Sequence, residues 1–82
     1  MNTTERYYRV IREHLAVAPD KITDEAEFHA DLGADSLDMG ELAMFLEAEF
    51  HLDISDDEAA AVVTVKDGLD LVERLLAAKV VA

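Results

Sequence analysis

Several residue types are rare or absent in this chain of 82 residues. It contains no cysteine and no tryptophan, one proline and three glycines. The absence of cysteine excludes disulfides, thiolate nucleophiles and zinc sites with cysteine ligands. The scarcity of glycine and proline favours long, uninterrupted helices. The length allows a single compact domain over residues 1–82 with one small core.

Positive charge is also scarce, and its distribution is uneven. Seven Lys and Arg oppose 19 Asp and Glu, for a formal net charge of −12. Between Lys21 and Lys66 lie 44 residues with 13 acids and no Lys or Arg. Such a charge disfavours nucleic acids and anionic membrane surfaces as partners, because phosphate binding requires cations. The acidic segment is either a solvated face that serves solubility or a docking surface for cationic partners.

Long hydrophobic runs are missing as well. No segment approaches the roughly 20 apolar residues that span a bilayer, and residues 1–5 are polar. We therefore expect no membrane insertion and a cytoplasmic location. Hydrophobic residues nevertheless make up 51 % of the chain, which indicates a folded domain and not a disordered acidic tail.

The hydrophobic periodicity predicts an all-α fold, a four-helix bundle with a short third helix and a long loop between helices 1 and 2. The first helix begins near Thr3 or Thr4 and stops before Pro19, because the residue ahead of a proline is pushed out of the helical region. The loop covers residues 19–35. Its expected anchors to the core are Ile22, Phe28 and Leu32.

The second helix is predicted over about residues 36–50, with Asp35 or Ser36 as its N-cap. Ser55 and Glu58 form a capping box that opens the short third helix, and Thr64 starts the last helix in the same manner. The candidate core residues are Phe28, Leu32, Leu42, Phe45, Leu46, Phe50, Ile54, Val62, Leu69 and Val72.

Ser36 is the residue that most needs an explanation. It lies in the sequence Asp-Leu-Gly-Ala-Asp-Ser-Leu-Asp, residues 31–38, where the loop meets the second helix. It is either a plain helix cap or an attachment point for a phosphate-linked group, which would lie beside free N–H groups and the positive end of the helix dipole. Asp35 and Asp38 would suit an Mg²⁺-dependent modifying enzyme, because Mg²⁺ bridges carboxylates and phosphates.

This segment, followed by Glu41 and Leu42, resembles the attachment motif of acyl carrier proteins of the freestanding bacterial type. The resemblance extends over nearly the whole chain. It implies that Ser36 carries 4′-phosphopantetheine, transferred from coenzyme A by a phosphopantetheinyl transferase, and that the thiol of this arm holds acyl groups as thioesters. The protein would be a non-catalytic carrier without a metal site, serving fatty-acid, lipid or polyketide biosynthetic enzymes, and its acyl chain could enter between the helices.

The resemblance also implies which side chains surround the arm and meet other proteins. Asp35, Leu37 and Asp38 would flank the arm at Ser36. The residues expected to contact basic patches on partner enzymes are Asp35, Asp38, Met39, Gly40, Glu41, Met44, Glu47 and Glu49. A monomer is expected, because a carrier that visits many enzymes gains nothing from covering its own docking surface.

Gly40 and Met39 depart from the pattern of the family. Gly40 stands where a bulky aliphatic residue is usual, and glycine inside a helix costs up to about 1 kcal/mol relative to alanine. One interpretation is drift in a helix that is held by its packing. The other is a specialised carrier in which the surroundings of the arm or the partner surface have changed.

Other functions are alternatives to the carrier. An aminoacyl or peptidyl carrier would share both fold and cofactor, and an interaction subunit without cargo would share the fold. An EF-hand that starts at Asp31 fails, because it places Ser36 at the glycine position and Leu42 at the glutamate position. Ser36 also lacks the glycines of a hydrolase elbow, and the three histidines are too scattered for a metal set.

Overall fold

The regular elements of residues 1–80, the part of the chain described by the computed structural model, are all helices. Helix α1 spans Thr3–His14, α2 spans Ser36–Phe50, α3 spans Asp56–Ala60 and α4 spans Val65–Val80, with a 3₁₀ turn at Pro19–Lys21. The predicted all-α architecture, with a short third helix and a long connection after the first, is confirmed.

Helix α1 begins and ends as its local sequence indicates. The Asn2 side chain accepts a hydrogen bond from Glu5 N at 2.8 Å, which satisfies one of the N–H groups that a first helical turn leaves unpaired. The helix ends at His14, ahead of Pro19 as predicted. Pro19 instead opens the 3₁₀ turn, a position where the missing N–H of proline costs no hydrogen bond.

The long connection between α1 and α2 is fixed to the core and to the start of α4. Its three predicted anchors, Ile22, Phe28 and Leu32, are all buried. Phe28 N donates to Val63 O and Val65 N donates to Ala26 O, each at 2.9 Å. Because these backbone bonds join the connection to the start of α4 and the residues just before it, the connection is a firm support for the segment that leads into α2.

The core lies where α1, α2 and α4 face one another. The fully buried side chains at its centre are Tyr7, Ile11, Val65 and Val72. Helix α2 adds Leu42, Leu46 and Phe50, four residues apart along one stripe as predicted. One face of α2 is therefore committed to packing, and the opposite face remains for other contacts.

The prediction that Phe45 belongs to the core is wrong. Phe45 is 39 % exposed, and its ring stacks on that of His14 with centroids 3.5 Å apart. A step of about 100° around the helix separates each residue from the next, so Phe45 lies beside the buried stripe through Leu46. Ile54 and Val62, also predicted for the core, are half-buried and pack against its edge.

Candidate functional site

The start of α2 is capped by two aspartates. Asp35, in an extended conformation, accepts a hydrogen bond from Asp38 N at 2.8 Å, and the Asp38 carboxylate accepts one from Asp35 N at 3.0 Å. This reciprocal pair is a capping box, which satisfies two N–H groups at once. Of the two caps that the sequence allowed, the structure has Asp35, and Ser36 becomes the first residue inside the helix.

The Ser36 hydroxyl therefore does not cap the helix. It is exposed, and its hydroxyl takes part in no hydrogen bond with the rest of residues 1–80. It lies in the N-terminal turn of a 15-residue helix. A phosphate on this oxygen would therefore lie near free backbone N–H groups and the positive end of the helix dipole. These surroundings fit a phosphate-linked group on Ser36.

The segment ahead of Ser36 is held in a defined path. Gly33 adopts a φ of 71°, a left-handed conformation that glycine enters without steric cost. Ala34 is buried, its N–H donates to Phe28 O at 2.9 Å, and its carbonyl lies 3.0 Å from His29 Nδ1. No sequence pattern predicts this role of His29, because the turn at Gly33 brings the two groups together.

Two apolar side chains on the exposed surface of α2 are largely open to solvent. Leu37 is 68 % exposed and Met44 is 65 % exposed. Met39 is half-buried and packs against the core, and Gly40 is exposed, with space for a side chain at its Cα. The face of α2 that starts at Ser36 therefore offers apolar surface among its acids.

The acids of α2 fall into two groups. Glu47 and Glu49 are occupied inside the fold: Glu47 accepts a hydrogen bond from Ile54 N at 2.9 Å, and Glu49 pairs with Arg6 at 2.8 Å and Arg9 at 3.0 Å. The hydrogen bond from Arg6 is the main reason that the pKa of Glu49 lies below its usual value. These two carboxylates are thus much less available to a partner than the sequence indicated.

The second group lies near Ser36. Asp35 and Asp38 each use one side-chain oxygen in the capping box. Glu41 is exposed and forms neither a hydrogen bond nor an ion pair within residues 1–80. Among the acids of α2 and its N-cap, those free to attract cations therefore lie at the N-cap and in the first two turns.

A small apolar cavity of about 20 Å³ lies beneath α2. Met39, Leu42 and Leu46 form its α2 side, and Tyr7 and Gly68 contribute from α1 and α4. A cavity of this size is close to the minimum for one water molecule, and its lining offers little to hydrogen-bond a water. Met39 follows Ser36 by three residues, which are neighbours on a helix surface. The part of the cavity that Met39 lines is therefore close to the exposed hydroxyl.

Within residues 1–80, no group of three or more His, Asp or Glu side chains is arranged to hold a metal ion. None of the helices in the same range combines the length and the apolar composition needed to cross a bilayer. The many carboxylates are thus spread over the surface or engaged in helix caps and ion pairs.

Comparison with known proteins identifies the family. A family model described as the phosphopantetheine attachment site matches residues 8–72. An acyl carrier protein of Zymomonas mobilis subsp. mobilis is 46 % identical over 72 residues, 88 % of this chain and 92 % of its own length. An acyl carrier protein of Cylindrotheca sp. is 42 % identical over 78 residues, 95 % of this chain and 98 % of its own.

The family model begins within α1, runs through the loop, α2 and α3, and ends halfway along α4. The family's prosthetic group is 4′-phosphopantetheine, and its members carry acyl groups without catalysing their conversion. With its helical fold and this similarity along most of its length, the chain belongs to the acyl carrier protein family.

Proposed function

We propose that Ser36 is the attachment point of 4′-phosphopantetheine and that the protein delivers acyl thioesters to enzymes of fatty-acid, lipid or polyketide biosynthesis. The observation that carries this proposal is the exposed Ser36 hydroxyl at the first position of α2, left free because Asp35 and Asp38 cap the helix. The only other serine, Ser55, accepts a hydrogen bond from Glu58 N at 3.1 Å and is engaged in the cap of α3.

The composition of the chain supports the same role. The arm brings a terminal thiol that forms thioesters with acyl groups. Because the chain has no cysteine, the thiol of the arm has no competing thiol in the same molecule. No internal disulfide can then trap the arm, and no second thioester can form on the protein.

The surface around Ser36 is the proposed docking site for the phosphopantetheinyl transferase and the acyl-handling enzymes. Asp35, Asp38 and Glu41 attract Lys and Arg, and the exposed Leu37 and Met44 add apolar contact. Met39 and Gly40 lie between these residues and shape the same surface. Glu47 and Glu49 contribute to the negative field more than to direct contact, because their carboxylates are engaged internally.

Docking of this kind suits a carrier that must leave each enzyme quickly. Exposed ion pairs are individually worth at most about 1 kcal/mol and are screened by salt. They raise the rate of encounter more than the lifetime of the complex. We expect the protein to act in this way as a cytoplasmic monomer.

The apolar cavity is the proposed shelter for the beginning of the acyl chain. Its lining is apolar, and its edge at Met39 lies close to Ser36. A cavity of about 20 Å³ cannot hold an acyl chain as it stands. The half-buried lining side chains Met39, Ile54 and Val62 would have to move aside, and the flexible thioether of Met39 suits such a movement.

The experiment that tests the proposal is an intact-mass measurement. The protein, freed of any group already attached, is incubated with coenzyme A, Mg²⁺ and a broad-specificity phosphopantetheinyl transferase. We expect the unmodified chain to gain one phosphopantetheine, and Ser36→Ala to gain none. Ser55→Ala is the matched control, since it removes the other serine hydroxyl and should still be loaded.

Two results would contradict the proposal. If the folded protein gains no mass, the chain has the carrier fold without carriage, and an interaction subunit becomes the better interpretation. If Ser36→Ala is still loaded, the arm is attached elsewhere. A holo protein that accepts amino acids but no acyl groups from its cognate enzymes would favour an aminoacyl or peptidyl carrier.

A further inference from the structure

Tyr7 and Gly68 together form a wall of the apolar cavity. The Tyr7 side chain is fully buried, and its hydroxyl lies directly against the backbone of Gly68. A Cβ placed on Gly68 would overlap the Tyr7 hydroxyl and lie 3.1 Å from Cζ of the ring. Tyr7 therefore fills the space that a side chain at position 68 would otherwise take.

This wall is anchored at its polar end. The Tyr7 hydroxyl donates a hydrogen bond of 2.7 Å to Val65 O. Burial strongly raises the pKa of Tyr7, so the hydroxyl keeps its proton and remains a donor. Rotating the ring away would leave the hydroxyl buried without a partner, which is unfavourable. Tyr7 is thus held in place by both packing and hydrogen bonding.

Three other side chains of the lining are less firmly enclosed than Tyr7. Met39, Ile54 and Val62 are only half-buried, and methionine adapts its shape with three rotatable bonds. Met39 is also the lining residue three positions after Ser36. A chain that enters beside Met39 can displace these half-buried side chains, whereas the fully buried and hydrogen-bonded Tyr7 ring cannot move aside as easily.

We propose that Tyr7, accommodated by Gly68, sets the closed end of the cavity and so limits the length of acyl chain that this carrier encloses. The inference rests on the proposed function, in which an arm on Ser36 presents the acyl group to the cavity. Chain carbons beyond the limit set by Tyr7 remain exposed to solvent. Tyr7 is in this sense a specificity-determining residue for the cargo.

The test uses holo protein loaded with saturated acyl groups of increasing even length, followed by thermal unfolding. Each methylene that becomes buried adds apolar contact and raises Tm by up to a few degrees, so Tm should rise with chain length and then reach a plateau. Tyr7→Val should move the plateau by at least one even-numbered step toward longer chains. Tyr7→Met, a smaller loss of volume, should move it in the same direction.

Two controls separate the length limit from a general loss of stability. Tyr7→Phe keeps the ring and should leave the plateau at the length found for the unsubstituted protein. Leu69→Ala removes volume from a buried residue that does not line the cavity. It should lower Tm for every acyl form without moving the plateau.

If the Tyr7 variants do not fold, the position of the acyl chain can be measured by NMR in the unsubstituted protein. For the acyl group at the plateau length, nuclear Overhauser effects should connect the terminal methyl group with the Tyr7 ring protons. Their absence would overturn the inference, as would a plateau that stays in place in a folded Tyr7→Val. Failure to load the arm at all would overturn the proposed function itself, so the two failures are distinguishable.

Discussion

Arg6 binds Glu49 at two places, through Nε to the carboxylate at 2.8 Å and through Nη2 to the backbone carbonyl at 2.7 Å. The carbonyl belongs to the last turn of α2, where helical hydrogen bonding leaves acceptors free. The guanidinium also lies 4.7 Å from the centre of the Phe50 ring, a geometry that favours a cation–π contact. One side chain of α1 thus both caps α2 and ties the two helices together.

The first prediction concerns the pH dependence of this contact. Because Arg6 holds the pKa of Glu49 below its ordinary value of 4.5, the pair stabilises the fold above that pH and loses its effect as the pH falls through the lowered pKa. Glu49→Gln should therefore be less stable than the unsubstituted protein at pH 7, and the gap should close in acid. Urea unfolding across the pH range measures the gap.

A suitable control is Glu41→Gln, on the same helix but with its carboxylate in solvent. Its stability should follow that of the unsubstituted protein closely at neutral pH. A gap for Glu49→Gln that persists at the lowest pH would show that the charge is not what stabilises the contact.

The second prediction concerns Tyr7 and Gly68. Gly68→Ala should destabilise the protein by about 1 to 3 kcal/mol, the usual range for overpacking, although alanine is the better helix former by about 1 kcal/mol. In a Tyr7→Phe background the nearest ring atom is Cζ at 3.1 Å, a close contact without the overlap, so the cost should fall. Urea unfolding of the two single variants and the double variant measures this coupling, and additive effects would contradict it.

The third prediction contrasts two neighbouring residues of α2. Phe45→Ala should cost about 1 kcal/mol or less, because Phe45 is partly exposed and stacks only on His14. Leu46→Ala should cost about 2 to 5 kcal/mol, because it opens a cavity in the core. Comparable losses in chemical denaturation would mean that Phe45 has a core role that its exposure does not indicate.

The fourth prediction tests the docking surface. Glu41→Lys should lower kcat/KM for loading by a phosphopantetheinyl transferase by roughly fivefold at low salt, since it replaces an attraction by a repulsion near Ser36. Glu73→Lys makes the same change of charge on the exposed surface of α4 and should have little effect. Equal slowing by both variants would point to net charge alone, and the difference should shrink at high salt.

The fifth prediction concerns Gly40. An added Cβ there meets no atom within 4 Å, so Gly40→Ala should stabilise the protein by up to about 1 kcal/mol through helix propensity. Gly33→Ala is the opposite case, because its φ of 71° disfavours a side chain by about 1 to 2 kcal/mol. Thermal unfolding distinguishes the two. Unchanged loading of Gly40→Ala would favour drift at this position, and slower loading would favour a specialised partner surface.

Much of the fold could be predicted because its signals are local. The bounds of α2, the capping box of Ser55 and Glu58, and the buried loop anchors agree with the sequence pattern. Such features depend on residues within a few positions of one another, which periodicity and capping rules describe directly. The prediction for Phe45 is wrong because this residue borders the buried stripe, and periodicity alone does not say where the edge of a stripe falls.

The ion pairs of Glu49 could not be predicted from the sequence for a different reason. An acid on an acidic helix has the pattern of a docking residue, and its partners Arg6 and Arg9 are about 40 positions away in the chain. Only the packing of α1 against α2 brings them within hydrogen-bond distance. The wall formed by Tyr7 and Gly68 likewise depends on two helices far apart in the chain.

The amino-acid sequence by itself determined the helical class, the bounds of the helices and the motif around Ser36, since these follow from neighbouring residues. The tertiary structure decided which cap leaves Ser36 free, which acids remain available to partners and how the apolar cavity is closed. The cap is a local contact of two aspartates three residues apart, at a helix start where the sequence allows either Asp35 or Ser36 as the cap. The other two properties arise from hydrogen bonds, ion pairs and close packing between segments that are distant in sequence. No local pattern records such contacts, because each becomes favourable only once the chain is folded.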